Sequence, residues 1–189
     1  MLGAIAGDIF GAAYEGRPLK REDFDLFDAP RFFTDDTVLT VATAFSLMTD
    51  GDYAKNYRLC GRLYPLAGYG KSFHEWLTLD DPQPYGSWGN GSAMRASPVG
   101  FMLDDEVDVL REAARSAAVT HDHPEGIKGA QAVALAVLLA RRGVAPADLR
   151  AEVAGRFGYD MARTTAAIRP GYRFDISCQG SVPEALICA

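Results

Sequence analysis

Apolar residues recur along this chain at helical rather than strand spacing. Over residues 106–119, Val107, Leu110, Ala114 and Ala117 share one face while Glu112 and Arg115 lie opposite, which predicts an amphipathic helix. Residues 37–48, TVLTVATAFSLM, are apolar around most of the circumference and predict a helix inside the protein. Their Val and Thr content makes a strand the rival reading there. Residues 3–14 join Gly and Ala to Ile5, Ile9 and Phe10, and the four-residue spacing of Gly3, Gly7 and Gly11 puts a small-residue stripe on one helix face, which predicts close helix packing. A weaker helix over 53–66 ends at Pro65 and Gly68. Pro124 opens a helix that runs to Arg142, with Gly143 just past its end; Pro146 opens another that closes at Gly158. Pro82, Pro84, Gly86, Gly89 and Gly91 make 78–92 a long loop. No segment alternates apolar and polar residues between turn signals as a half-buried strand would. The expectation is therefore a single all-α domain over residues 1–189, with several helices around a central buried pair. A last helix begins at 181–188 and stops within about two turns. The chain is accordingly expected to be a truncated form of something longer, whose unfinished end leaves apolar surface as a route to self-association.

Composition narrows the classes of function. The 189 residues are 48% hydrophobic and 23% charged, ordinary values for a folded domain. The formal net charge of −6 argues against a large nucleic-acid footprint, though not against a local basic pocket. Cys60, Cys178 and Cys188 are odd in number and form no CxxC, so neither a zinc ribbon nor a disulfide framework is indicated, and a reducing, cytoplasmic setting fits best. The first residues carry no basic region and meet a charge at Asp8, which does not read as a signal peptide. No stretch approaches 18 uncharged apolar residues, so no membrane span is expected.

Four segments could carry chemistry. In Phe33-Thr34-Asp35-Asp36-Thr37, Thr34 reads as a helix N-cap with acids in the first turn. The same hydroxyl and twin carboxylates are oxygen donors suited to Mg²⁺, Mn²⁺ or Ca²⁺, with the rest of the shell to come from elsewhere. Asp80-Asp81 and Asp104-Asp105-Glu106 lack both a neighbouring hydroxyl and a dry apolar run, and read as solvated acids and a helix cap. In the segment 3–15, Asp8 lies near the small-residue face and needs a partner if buried. Glu15 sits at the helix end, where the dipole disfavours an anion. In Ser87-Trp88-Gly89-Asn90-Gly91-Ser92-Ala93-Met94-Arg95, the Gly-Asn-Gly turn permits positive φ and exposes backbone N–H groups. With a helix from about Ser92 it makes an anion cradle to which Arg95 could add a fork of donors; a tight loop with an N-cap is the plainer reading. It fits neither the P-loop nor GxGxxG. In Thr120-His121-Asp122-His123-Pro124, the lack of a third ligand argues against zinc. One histidine contacting a ligand oxygen fits better, with His123 or Asp122 capping the next helix.

Taken together and in this order, GAIAGDIFGAAYEG (3–16), FTDDTVLT (33–40), GNGSAMRASPVG (89–100) and Thr120-His121 resemble the ADP-ribosylglycohydrolase family, and 168–189 looks like its bacterial branch. The resemblance implies an all-α fold, a centre of two Mg²⁺ or Mn²⁺ ions, and hydrolysis of the bond between C1″ of ADP-ribose and an acceptor on a protein or small molecule. It implies Thr34, Asp35 and Asp36 as metal ligands, with Glu15, Asp35 and Asp36 serving catalysis. Gly89, Asn90, Gly91, Ser92 and Met94, with Arg95 and His121, would hold the ADP-ribose. The family draws its remaining ligands from a later G-D-x-D-[ST] segment. After Glu125 the acids here are Asp148, Glu152, Asp160, Asp175 and Glu184, none in an Asp-x-Asp pair. One ion or none is therefore expected on this chain alone, and an ADP-ribose-binding module without turnover, or an inactive remnant of the fold, is the alternative to an enzyme.

Overall fold

The computed structural model describes residues 2–17 and 19–189. Among them the architecture is all-helical, and the only β pairing is an isolated antiparallel bridge between Gly89 and Ser177. No helix among the described residues is long and apolar enough to cross a membrane.

The elements follow the local signals closely. Helix α1 spans Leu2–Gly11 and runs into a 3₁₀ turn, Ala12–Tyr14. Helix α2, Asp35–Met48, starts where the Thr34 hydroxyl accepts a hydrogen bond from Asp36 N. Helix α3, Tyr53–Leu63, stops two residues before Pro65 rather than at 66, because the residue before a proline is pushed out of the helical region. Helix α4, Lys71–Thr78, is not predicted by the sequence pattern, and the short α5, Ser97–Met102, starts beyond the Ser92 expected for it. Helix α6, Glu106–Ala118, is capped by Asp105. Helix α7, Pro124–Arg141, is capped by His123, whose Nδ1 accepts from Glu125 N. Helix α8, Pro146–Phe157, ends on Gly158 at φ +68, the left-handed cap that glycine adopts without penalty. A single turn, α9 (Thr165–Ile168), leads to α10 (Cys178–Cys188).

Helix α7 is the axis of the packing. Gly126, Gly129, Ala130, Ala132, Ala134, Leu135, Ala136, Leu138 and Leu139 are buried, and α5, α6, α8 and α10 pack around it. Small residues permit these close crossings: a Cβ on Gly129 would meet Cys178 Cβ at 2.9 Å, and one on Gly100 would meet Ala134 C at 2.9 Å. A second cluster joins α2, α3 and α4 through Leu39, Ala42, Tyr57, Phe73 and Trp76.

Three expectations change. Helix α2 is not enclosed: Val41, Phe45 and Met48, on one stripe, are exposed, so only half the expected buried pair is central. The stripe of Gly3, Gly7 and Gly11 meets no neighbour within 4 Å of an added Cβ, so it marks no close crossing among the described residues. No helix begins at Ser92; Asn90–Ser92 form one 3₁₀ turn, and the chain resumes as helix only at Ser97. The apolar face of α10, with Val182, Pro183 and Ile187, is buried beside α7.

Candidate functional site

The start of α2 is held by one carboxylate from α1. Asp8 Oδ2 accepts hydrogen bonds from Thr34 N at 2.8 Å and Thr37 N at 3.2 Å, and from the Thr37 hydroxyl at 2.5 Å; Asp8 Oδ1 accepts from the Thr34 hydroxyl at 2.7 Å. This answers the need for a partner at Asp8 and explains both threonines of the motif. On the other side, Asp35 N donates to Ala67 O at 2.8 Å. These donors saturate Asp8, and among the described residues neither Asp35 nor Asp36 forms an ion pair.

Their electrostatics follow from that arrangement. Burial pushes the Asp35 carboxyl up to about 6, with Glu15 and Asp8 adding to the rise and Arg95 opposing it. Burial, then the neighbouring Asp35, Asp8 and Glu15, push Asp36 up to about 7. Glu15 is thus close enough to both for its charge to be felt, although it is itself exposed. It also lines a cavity of about 580 Å³ that reaches Ser181, Glu184 and Tyr172. Desolvated carboxylates short of positive charge, with oxygen donors only, fit a hard divalent cation. The fit is partial: among the described residues no group of three or more His, Cys, Asp or Glu side chains is placed to hold a metal ion.

The glycine-rich loop is bound on two sides. Asn90 N donates to Ile176 O at 2.7 Å, Cys178 N to Trp88 O at 3.0 Å, and Asn90 Nδ2 to Ser181 Oγ at 3.0 Å, tying the loop to the start of α10. The buried Ser92 hydroxyl donates to Gly126 O at 2.7 Å, tying it to α7. The N–H groups of Gly89 and Asn90 are therefore committed within the protein, to Ser87 Oγ and Ile176 O. Neither Gly89 nor Gly91 has positive φ. Their lack of a side chain serves His121 instead: a Cβ on Gly91 would lie 3.0 Å from His121 Nε2, and one on Gly89 3.7 Å from the same atom. Met94 packs against the α2–α4 cluster, and its carbonyl accepts from the Thr40 hydroxyl at 3.3 Å, which links the loop to α2.

Arg95 is turned inward. It is fully buried, its guanidinium lies 4.2 Å from the Tyr57 ring centre, and Nη2 donates to Ser116 O at 3.1 Å and to the Thr120 hydroxyl at 2.8 Å. The donor fork expected to face a phosphate thus faces the end of α6. His121 is buried too, and burial with the nearby Arg95 charge lowers its pKa to about 3, so it is neutral. Asp122 Oδ1 accepts from Gly86 N at 2.7 Å and holds the preceding loop. Sequence reasoning missed Thr37 and Thr120; the hydroxyls beside Asp36 and His121 were the available signal.

The result is an all-helical domain that carries a Thr-Asp-Asp helix start, a glycine loop tied to the start of α10 and a buried, neutral histidine. The chain matches the ADP-ribosylglycohydrolase family model over residues 1–185 and belongs to that family. It is 31% identical over 173 residues to the ADP-ribosylhydrolase ARH3 of Danio rerio, covering 76% of this chain and 47% of that one. It is also 31% identical over 181 residues to ARH3 of Gallus gallus, covering 76% and 49%. The chain spans about half the length of these curated relatives. A solved ADP-ribosylglycohydrolase-related protein complex shares the fold at a TM-score of 0.72 and 22% identity, over 98% of this chain and 73% of that one.

Proposed function

We propose that this chain carries the substrate loop and one half of the cation site of a hydrolase that cleaves the glycosidic bond between ADP-ribose and its acceptor. The observation that carries the reading is the pair Asp35 and Asp36, half-buried at the helix start and raised to about 6 and about 7 by desolvation and by the carboxylates around them. Carboxyls perturbed in this way cluster at functional sites. Thr34, Asp35 and Asp36 would hold a divalent ion, which supplies a Lewis acid for the hydroxyls of the distal ribose when bound.

The chain's own residues do the rest. Asp8 fixes the angle of the helix start through Thr34 and Thr37. The loop of Gly89, Asn90, Gly91 and Ser92, whose glycines let it lie against His121 Nε2, would take the diphosphate. Glu15, exposed at the rim near both aspartates, takes the proton of the attacking water as C1″ develops oxocarbenium character.

The test is release of free ADP-ribose from ADP-ribosylated arginine, ADP-ribosylated serine and O-acetyl-ADP-ribose, with Mg²⁺ or with EDTA, beside an ADP-ribose titration. Metal-dependent release supports the hydrolase, and Glu15→Gln then costs at least ~10²-fold in rate. A second reading, an ADP-ribose-binding module without turnover, is favoured by the incomplete donor set. Binding without release under every metal condition selects it, and neither binding nor release refutes both.

A further inference from the structure

His121 meets the glycine loop through Nε2, and what that nitrogen can do depends on which tautomer the ring adopts. The other ring nitrogen, Nδ1, lies 2.8 Å from the Thr120 hydroxyl. The same hydroxyl oxygen is 2.8 Å from Arg95 Nη2. A guanidinium has donors and no acceptor, so Thr120 Oγ1 accepts from Arg95. A threonine hydroxyl has one hydrogen to give, and Nδ1 is positioned to take it. In the opposite tautomer Nδ1–H would take the second lone pair of the same oxygen, and the hydroxyl hydrogen would have to find another acceptor inside the protein. All three groups are buried: Arg95 and Thr120 are 0% exposed and His121 5%. Water therefore does not readily substitute for a missing partner.

We infer that Thr120, oriented by Arg95, is a positioning residue that locks His121 in the tautomer bearing its proton on Nε2 and so presents a neutral N–H donor to the Gly89–Gly91 loop. His121 then recognises an acceptor oxygen of the ligand and does not act as a base. Arg95 works from behind the site: Nη2 also holds Ser116 O, which fixes the end of α6 from which Thr120 and His121 extend. The spacing at Gly91 agrees, since a Cβ there would stand 3.0 Å from Nε2 and crowd that edge of the ring. The ligand side of this inference rests on the ADP-ribose reading above; the tautomer itself does not.

Nitrogen-15 NMR of the histidine-labelled full chain tests it, with His121→Gln assigning the ring. The wild type is expected to show a pyrrole-type Nε2 and a pyridine-type Nδ1. Thr120→Val, close in shape but without the hydroxyl, is expected to bring the two shifts towards one another and to weaken ADP-ribose binding by up to about tenfold, the range of one hydrogen bond. Thr120→Ser keeps the hydroxyl and restores both. A proton on Nδ1 in the wild type overturns the inference, and that result needs no variant to fold. So does a Thr120→Val protein that keeps the wild-type pattern. A wild type with the expected tautomer and no affinity for ADP-ribose upholds the relay and sinks the ligand reading alone.

Discussion

Replacing Gly100 by alanine adds one methyl group where α5 crosses α7, and the outcome follows from the clearance there. The new Cβ would stand 2.9 Å from Ala134 C and 3.0 Å from Val137 Cβ, with the Ala134 carbonyl oxygen closer still. Carbon atoms pack at about 3.5–4.0 Å, and the obstacle is the backbone of the central helix, which cannot rotate away. The helices must therefore separate by roughly 0.5–1 Å, which opens gaps among Val99, Leu135 and Leu138 in the same cluster. Overpacking of this kind costs about 1–3 kcal/mol, and an unyielding backbone puts Gly100→Ala at the upper end. For a chain of this size about 3 kcal/mol lowers Tm by about 6–12 °C. Gly155→Ala is the control. Gly155 is exposed in α8 with nothing within 4 Å of an added Cβ, so the same change there gains about 0.5–1 kcal/mol of helix propensity. Thermal unfolding of both variants beside the wild type should show opposite signs. Equal shifts, or a Gly100→Ala protein within about 2 °C of wild type, would refute the reasoning.

Other consequences can be measured separately. His121 titrates at about 3 when folded and about 6.5 when unfolded, so only the unfolded chain takes up its proton between those values, and stability falls as pH drops below 6.5. Relative to His121→Gln, the wild type should lose about 2 kcal/mol between pH 7 and pH 5 in urea unfolding; matching losses would contradict a buried neutral ring. Asp35 and Asp36 run the other way: their raised values mean the folded chain holds protons the unfolded one releases, so their contribution rises as pH falls from about 7. With a millimolar Kd, 10 mM Mg²⁺ at pH 8 should stabilise the protein by about 1.4 kcal/mol, and Asp36→Asn should abolish that gain while raising the metal-free Tm. Asp8→Ala removes the acceptor for four hydrogen bonds at the start of α2. It should lower stability by about 2–4 kcal/mol and eliminate any Mg²⁺-induced shift; an unchanged Mg²⁺ response would show that the helix start does not depend on Asp8.

Much of the fold is legible locally because caps and breakers act within a few residues. Thr34, Asp105, His123 and Gly158 end or begin helices where their own chemistry requires, and Pro65 stops α3. The twin acids after Thr34, the glycine loop and the Thr-His pair likewise stand out as residue types in order. What the sequence could not supply is which groups meet. Helical periodicity gave α2 an apolar circumference, but only packing against α3 and α5 left Val41, Phe45 and Met48 uncovered. Asp8 finds Thr34 and Thr37 across 26 and 29 residues. Arg95 reads as a surface fork for phosphate, yet Tyr57 of α3 and Thr120, just past the end of α6, draw it into the interior. Capping energies depend on the next turn of chain, whereas a hydrogen bond between distant residues depends on every helix that brings its ends together, and that information exists only in the packed molecule.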